Sequence, residues 1–185
     1  METINKIQPD SEVELIEILN ENSRQYDKSS NRHYDVISAF IKSIRGSDIN
    51  AALLWLAIML DGGEDIEFIA RRLIIIASED IGLANSNALQ IATNAHYAIK
   101  NIGMPEARII LSHATISLAQ SPKSNKAYLA IDKALDFVRN NPTLEVPDHL
   151  KSSGPGKRNY LYPHNYSDSK VKQNYFAKNV KKEFY

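Results

Sequence analysis

Four sets of residues in this sequence carry side chains whose types and spacing could do chemistry. Lys42-Ser43-Ile44-Arg45-Gly46-Ser47-Asp48 sets two cations at the end of a helical pattern, just ahead of a glycine and a fresh helix start. The free backbone N–H groups of a helix start, with Lys42 and Arg45 beside them, could hold a phosphate. The same residues also have a structural reading. Lys42 and Arg45 would answer the negative C-terminal end of one helix, and Ser47 or Asp48 would cap the next. Arg71-Arg72 lie in another helical pattern, with Glu79-Asp80 at its end. Arg72 and Glu79 are seven apart, two turns along roughly one face. Adjacent helix residues point about 100° apart, so Glu79 and Asp80 do not converge as an acid–base pair. The arginines would rather bridge helices or subunits, and Glu79 or Asp80 would cap the turn at Ile81-Gly82.

The third stretch, Gly154-Pro155-Gly156-Lys157-Arg158, is the nearest approach to a phosphate-binding loop. It fails on spacing. Pro155 removes an N–H, no Ser or Thr follows the lysine, and no strand feeds it. The chain therefore offers no recognisable ATP phosphate site. The histidines at 33, 96, 113, 149 and 164 come last. No two lie at helical ligand spacing, so they read as polar helix-face or loop residues, and no metal site is expected. There is no cysteine, which excludes disulfides, thiolate zinc sites and a cysteine nucleophile. No catalytic constellation emerges.

The elements that must position these residues are helical nearly throughout. Ser11 heads a first amphipathic stretch through Val13, Ile16 and Leu19. Val36, Ile37, Phe40, Ile41 and Ile44 repeat at helical spacing and stop at Gly46. Ile49–Leu60 follows. Its run Ala51–Leu60 is apolar on all sides and half the length of a membrane span, so it predicts a buried central helix with Trp55 in the core. Asp65 opens a fourth helix through Ile76, and Leu73–Ala77 is again apolar all round. Ser86 heads a fifth, ended by Gly103. Pro105 suits the first turn of a sixth, and Ser124 heads a seventh through Val138. Beyond Asn141, four prolines and two glycines within some twenty residues predict an extended tail rich in tyrosine. The expectation is an all-α protein: a compact bundle of about seven helices with a Pro/Tyr-rich C-terminal tail. The expected divisions are an N-terminal helix at 1–26, a helical domain at 27–141 and a basic tail at 142–185 that docks on it.

Lys and Arg balance Asp and Glu at 22 each, so no whole-molecule field draws in nucleic acid. The balance is nonetheless uneven along the chain, with acids prevailing in residues 1–30 and bases from Lys151 onward. Such ends could pair within or between subunits, or simply be solvated. Residues alone thus give an α-helical interaction module. A direct DNA-binding module, using the basic tail with Lys42 and Arg45, is the alternative.

Longer motifs sharpen this. Residues 33–48, His-Tyr-Asp-Val-Ile-Ser-Ala-Phe-Ile-Lys-Ser-Ile-Arg-Gly-Ser-Asp, resemble a signature of the replication-associated recombination proteins, the RarA/MgsA type of AAA+ ATPase. Gly63-Glu64-Asp65, Ile69–Leu73 and Ala77–Ala84 look like the next block of that family. Gly103–Arg108 and Ala119–Asn125 look like the third and fourth, and Val146–Leu150 with Tyr160–His164 fit its tail. The resemblance runs in order from about Asp27 to Tyr175. It implies a helical domain akin to clamp-loader collars, which assembles subunits into homotetramers. It also implies a parent protein that binds ATP and magnesium in an AAA+ core ahead of this region. That parent would work at stalled forks with DNA and single-strand-binding protein, in the bacterial cytoplasm near the nucleoid and away from membranes. The chain itself is then expected to be a non-catalytic C-terminal fragment without cofactor, and Tyr185 a truncated end. Lys42, Arg45, Arg71, Arg72, Glu79 and Asp80 are the candidate contacts to a neighbouring subunit or a phosphate.

Overall fold

A computed structural model describes residues 33–185, so the expected first helix at Ser11–Leu19 lies outside the described residues. The described residues are helical without a strand. They fall into two compact units that divide between Ser124 and Asn125. The helix expected to close the bundle, Lys126–Arg139, thus groups with the tail, whereas the pattern of prolines suggests a division after Asn141.

In the first unit, α1 occupies 33–45, α2 Ile49–Asp61, α3 Ile66–Ile76, α4 Ala88–Ile102 and α5 Ala107–Gln120. Their boundaries follow local chemistry. Asp48 accepts a hydrogen bond from the Ala51 N–H and Asp65 one from the Glu67 N–H, each satisfying an N–H that the helix leaves free. Gly103 ends α4 at φ 74°, its N–H bonding back to the Ile99 carbonyl. The expected Ser86 cap is not used. α4 starts from Asn87, whose N–H is taken by the Asn85 side chain. Pro105 lies ahead of α5, which starts at Ala107 after Glu106, and α6 starts from Asn125 rather than Ser124.

Packing in this unit joins large and small residues. Phe40, Ile44, Ile69, Leu73, Ile99, Leu111 and Leu118 are sealed from water. Ala88, Ala92 and Ala95 set a small stripe on α4, which packs against α3 and α5. Such small side chains let helix backbones approach closely while the large ones fill the remaining space. Two expectations need correction here. Helix α2 buries one face only, Ala52, Leu56 and Met59, and its apolar Leu54 is 57 % exposed. Trp55 packs against the margin of the core rather than inside it. An apolar run has no intrinsic direction, and the neighbours α2 finds, chiefly α5, cover one side.

The second unit is built differently. Its helix α6 (Lys126–Arg139) buries no residue fully, and of all described residues after Asn125 only Pro147 is buried. Four short turns follow at Asp148–Leu150, Pro155–Asn159, Pro163–Asn165 and Ser167–Ser169. Aromatic rings join the ends of this unit, Phe184 meeting Phe137 of α6 edge-on at 5.7 Å and Phe176 at 6.5 Å. The Pro155–Asn159 turn presses on the Asp148 turn so closely that a Cβ on Gly156 would lie 2.7 Å from the Asp148 carbonyl oxygen. Glycine is required at 156 for that approach, which gives this glycine-containing stretch a packing role.

Candidate functional site

Three motifs far apart in sequence meet at one end of the first unit. The first is the end of α1. The Gly46 N–H bonds to the Lys42 carbonyl and the Asp48 N–H to that of Ser43, closing the helix before α2 begins. Ser47 takes a positive φ of 61° in that turn, which a short polar side chain tolerates better than a bulky one. The second motif follows α3. Residues Ala77–Ile81 form one wide π-type turn, and Gly82 leaves it at φ 49° and ψ −130°, a backbone region closed to other residues. Asp80 rides on this turn and is 8 % exposed. The third motif is the end of α5, Ser121-Pro122-Lys123-Ser124.

Ion pairs and hydrogen bonds knit the three together. Arg45 Nε donates to Asp80 Oδ1 at 2.6 Å and Nη2 to Oδ2 at 3.3 Å, the forked geometry that suits guanidinium and carboxylate. Glu79 stands 3.8 Å from the same guanidinium. The hydrogen bond that Arg45 donates to Asp80 is the main cause that raises the Arg45 pKa above its ordinary value, and burial opposes it. The Asp80 main-chain carbonyl accepts from the Ser124 N–H at 2.7 Å. Lys123 folds back under the end of α5. Its Nζ donates toward the carbonyls of Leu118, Ala119 and Ser121 at 3.2, 2.9 and 2.6 Å and reaches Ser47 Oγ at 2.9 Å. A cation there satisfies carbonyls the helix cannot bond itself and meets the negative end of the helix dipole. Burial pushes the Lys123 ammonium below its usual range, and the charge of Asp80 works the other way. Ser121 Oγ donates to the Ser117 carbonyl and accepts from Asn85 Nδ2 at 2.9 Å, so the segment after the π-type turn is pinned too.

The predicted site residues therefore separate. Arg45, Glu79 and Asp80 come together. Arg72 and Glu79 do not, because the wide turn breaks the seven-residue phase that would have aligned them. Asp80 does not cap its own turn either, since its carboxylate is held by Arg45. Arg71 pairs with Asp65 at 3.2 Å and lies over the Phe68 ring. Lys42 and Arg72 line a groove of about 410 Å³ with Tyr34, Ser38, Ile41 and Phe68, and Arg72 Nε is buried without a hydrogen-bond partner among the described residues. The histidines are dispersed, His33 beside Glu64, His96 beside Glu67 and His149 on the Asn174 carbonyl. Among the described residues no group of three His, Asp or Glu could hold a metal ion, and no helix is long and apolar enough to cross a membrane. Sequence reasoning missed Lys123, Ser121 and Asn85. The available signal was a lysine directly after the proline that stops a helix.

A second feature of this unit is apolar. Leu54 of α2, Met104 ahead of α5 and Ile109 of α5 are 57 %, 51 % and 60 % exposed. The groove between the two helices, about 360 Å³, is lined by Leu53, Ala57, Leu60, Arg108 and Ile109.

Comparison with known proteins places the chain in a family. Residues 46–185 match the family described as MgsA AAA+ ATPase C terminal, and residues 3–45 match one described as AAA C-terminal domain. The junction falls at the Arg45–Gly46 turn, so the Arg45–Asp80 pair ties one matched segment to the other. The chain is 48 % identical over 177 residues to the replication-associated recombination protein A of Bacillus subtilis, covering 91 % of this chain and 42 % of that protein. The protein of that name in Escherichia coli K12 is 41 % identical over 139 residues, 75 % of this chain and 31 % of its own length. ATPase WRNIP1 of Dictyostelium discoideum is 35 % identical over 175 residues, 90 % of this chain and 20 % of its own. The chain thus spans less than half the length of each of these relatives.

Proposed function

The chain belongs to the MgsA family of AAA+ ATPase C-terminal regions, and from that premise we propose that it is a self-assembly module, a region that holds ATPase subunits in a closed homotetramer and does no catalysis itself. The observation that carries this reading is the apolar face of α2 and α5. Single exposed leucines are ordinary on a soluble surface. Ile109 instead lines a groove between α2 and α5 with Leu53, Ala57 and Leu60, Met104 lines a second hollow that shares Ala57 and Leu60, and Leu54 is exposed on α2 next to Leu53; apolar surface gathered in this way marks an interaction site. A second copy is the simplest occupant, because homo-oligomers with closed symmetry dominate among soluble assemblies. The charged hub plays a different part in this reading. Arg45, Glu79 and Asp80 satisfy one another inside the unit, so they hold the ends of α1, α3 and α5 in register and leave the apolar face to make the contact.

The names of the relatives connect those proteins with replication-associated recombination, and we extend that role to the longer protein of which this region would form the C-terminal part. ATP and magnesium would be handled by its ATPase core. Calorimetry of the chain with ATP should give no stoichiometric heat, and micromolar binding would remove the non-catalytic reading. The assembly reading is tested by placing charge on the exposed apolar residues of α2 and α5. Leu54→Glu with Ile109→Glu should reduce the mass in light scattering to one chain while the helical circular dichroism is kept. An unchanged oligomer in that variant would exclude this face as the interface.

A further inference from the structure

The groove between α1 and α3 is cationic, and its charge is unanswered. Tyr34, Ser38 and Lys42 stand four apart along one ridge of α1, and Phe68 and Arg72 stand four apart on α3, so each helix turns one face to it. Its apolar lining is Ile37, which is buried, and Ile41 and Phe68, which are half-buried. Arg45 also lines it but is held by Asp80. Lys42 and Arg72 have no ion-pair partner among the described residues. Arg72 is the sharper case, since its Nε is closed to water and unbonded. A buried donor without an acceptor is costly, and a carboxylate brought to it would remove that cost.

An occupant must bring carboxylates and aliphatic side chains together. Residues 10–21 of this chain do. They hold Asp10, Glu12, Glu14, Glu17 and Glu21 without one Lys or Arg, and Val13, Leu15, Ile16, Ile18 and Leu19 are interleaved with them. This stretch lies outside the described residues, and α1 begins at 33, next to the groove at Tyr34. The eleven residues 22–32 can span up to about 36–40 Å. Tyr34 and Lys42, eight residues apart, mark only about 12 Å of helix. The tether therefore reaches the whole groove. A tether this short also gives an effective concentration on the order of millimolar, ahead of an acidic partner free in solution. One family match, residues 3–45, takes in both the acidic stretch and α1, so the two belong to one piece of sequence in that family.

We propose that the groove between α1 and α3 is the docking site of this chain's own acidic stretch, with carboxylates of Glu12, Glu14 and Glu17 meeting Lys42 and Arg72 and aliphatic side chains covering Ile37, Ile41 and Phe68. Docked there, the stretch fixes the direction from which the chain ahead of it enters the first unit. No residue of the α2 and α5 face takes part, so the inference stands apart from self-assembly.

The sequence has no cysteine, so two introduced thiols meet no others in the chain. The test places one at Asn20→Cys beside the acids and one at Ser38→Cys in the groove of the whole chain. Disulfide closure under mild oxidation is followed by mass spectrometry. Closure within one chain should be fast at about 10 mM salt and slow at about 1 M, where the screening length falls from about 30 Å to about 3 Å. Lys42→Glu with Arg72→Glu should slow it roughly 5- to 30-fold. Adding Glu14→Lys with Glu17→Lys to that variant should restore it. Tether and thiols are the same throughout, so proximity alone cannot produce that pattern. If the groove variant loses its helical circular dichroism, Glu14→Gln with Glu17→Gln asks the same question from the other side and should also slow closure. Unchanged rates in the folded charge variants would overturn the proposal. So would a main product of doubled mass, which would assign the stretch to a second copy.

Discussion

Lys123 and Lys178 each tie distant segments together, the first under burial and the second in water. Lys123 sits beneath the end of α5 against three main-chain carbonyls, and burial lowers its pKa. Lys178 lies at the surface between Glu145 and Asp148. Its hydrogen bond to Glu145, then the nearby carboxylate charges, raise its pKa. The difference extends to the units that contain them. Around Lys123 the helices share a core whose residues are closed to solvent, and the polar hub fixes geometry that packing already favours. Around Lys178 almost nothing is buried, and order comes from side-chain clasps screened by water. The first region is suited to hold a shape under load, the second to present groups to a partner.

The largest expected effect is in the core. Phe40→Ala, which empties a fully buried site on α1, should cost about 3–5 kcal/mol of stability in thermal melts. Leu135→Ala on α6, where the side chain is 43 % exposed, should cost under about 1 kcal/mol. Equal losses at the two sites would break the contrast between the units. The hub comes next. Asp80→Ala removes the forked bond to Arg45, and because Arg45 is half exposed the expected loss is about 1–2 kcal/mol. Lys123→Met keeps the aliphatic stem but strips the α5 carbonyls of their donor, for a similar loss.

Much of this contrast was readable in the sequence, though unevenly. Helix positions followed from apolar spacing, and Asp48 and Asp65 act as the caps their positions suggested. The direction faced by an all-apolar helix did not follow, which is why α2 and Trp55 were misplaced: a run without polarity carries no phase. The partner of Asp80 was hidden for another reason. A wide turn inserts a shift that regular 3.6-residue counting cannot foresee, and Arg45 is 35 positions away. Lys123 was visible only as part of a motif, without its role. The tail read correctly as aromatic and basic, but the clasp of Gln173 on both main-chain groups of Leu161 is a tertiary contact with no local signature.

Two finer experiments sharpen the comparison. Gly156→Ala should disturb the Asp148 turn, seen as amide shifts in the tail, while the Phe40 core keeps its melting temperature. The smallest effect concerns pH. The Lys151 ammonium first, then Lys178, holds the Asp148 carboxyl below its ordinary 3.8. A depressed acid stabilises the fold above its unfolded pKa and loses that contribution only as pH falls through the lower folded value. The Asp148 clasp should therefore persist through neutral and mildly acidic pH and open below about 3.8, which side-chain carboxyl NMR would detect.

The central claim is that the apolar face between α2 and α5 assembles copies of this chain. Arg71→Glu with Arg72→Glu offers the electrostatic counterpart to charge placed at Leu54 and Ile109, and the apolar substitutions should have the greater effect on assembly. The most direct measurement is the mass of the unaltered chain by light scattering at micromolar concentration. The account predicts a particle of about four chains of 20.8 kDa each, and a monodisperse single chain across the concentration range would contradict it.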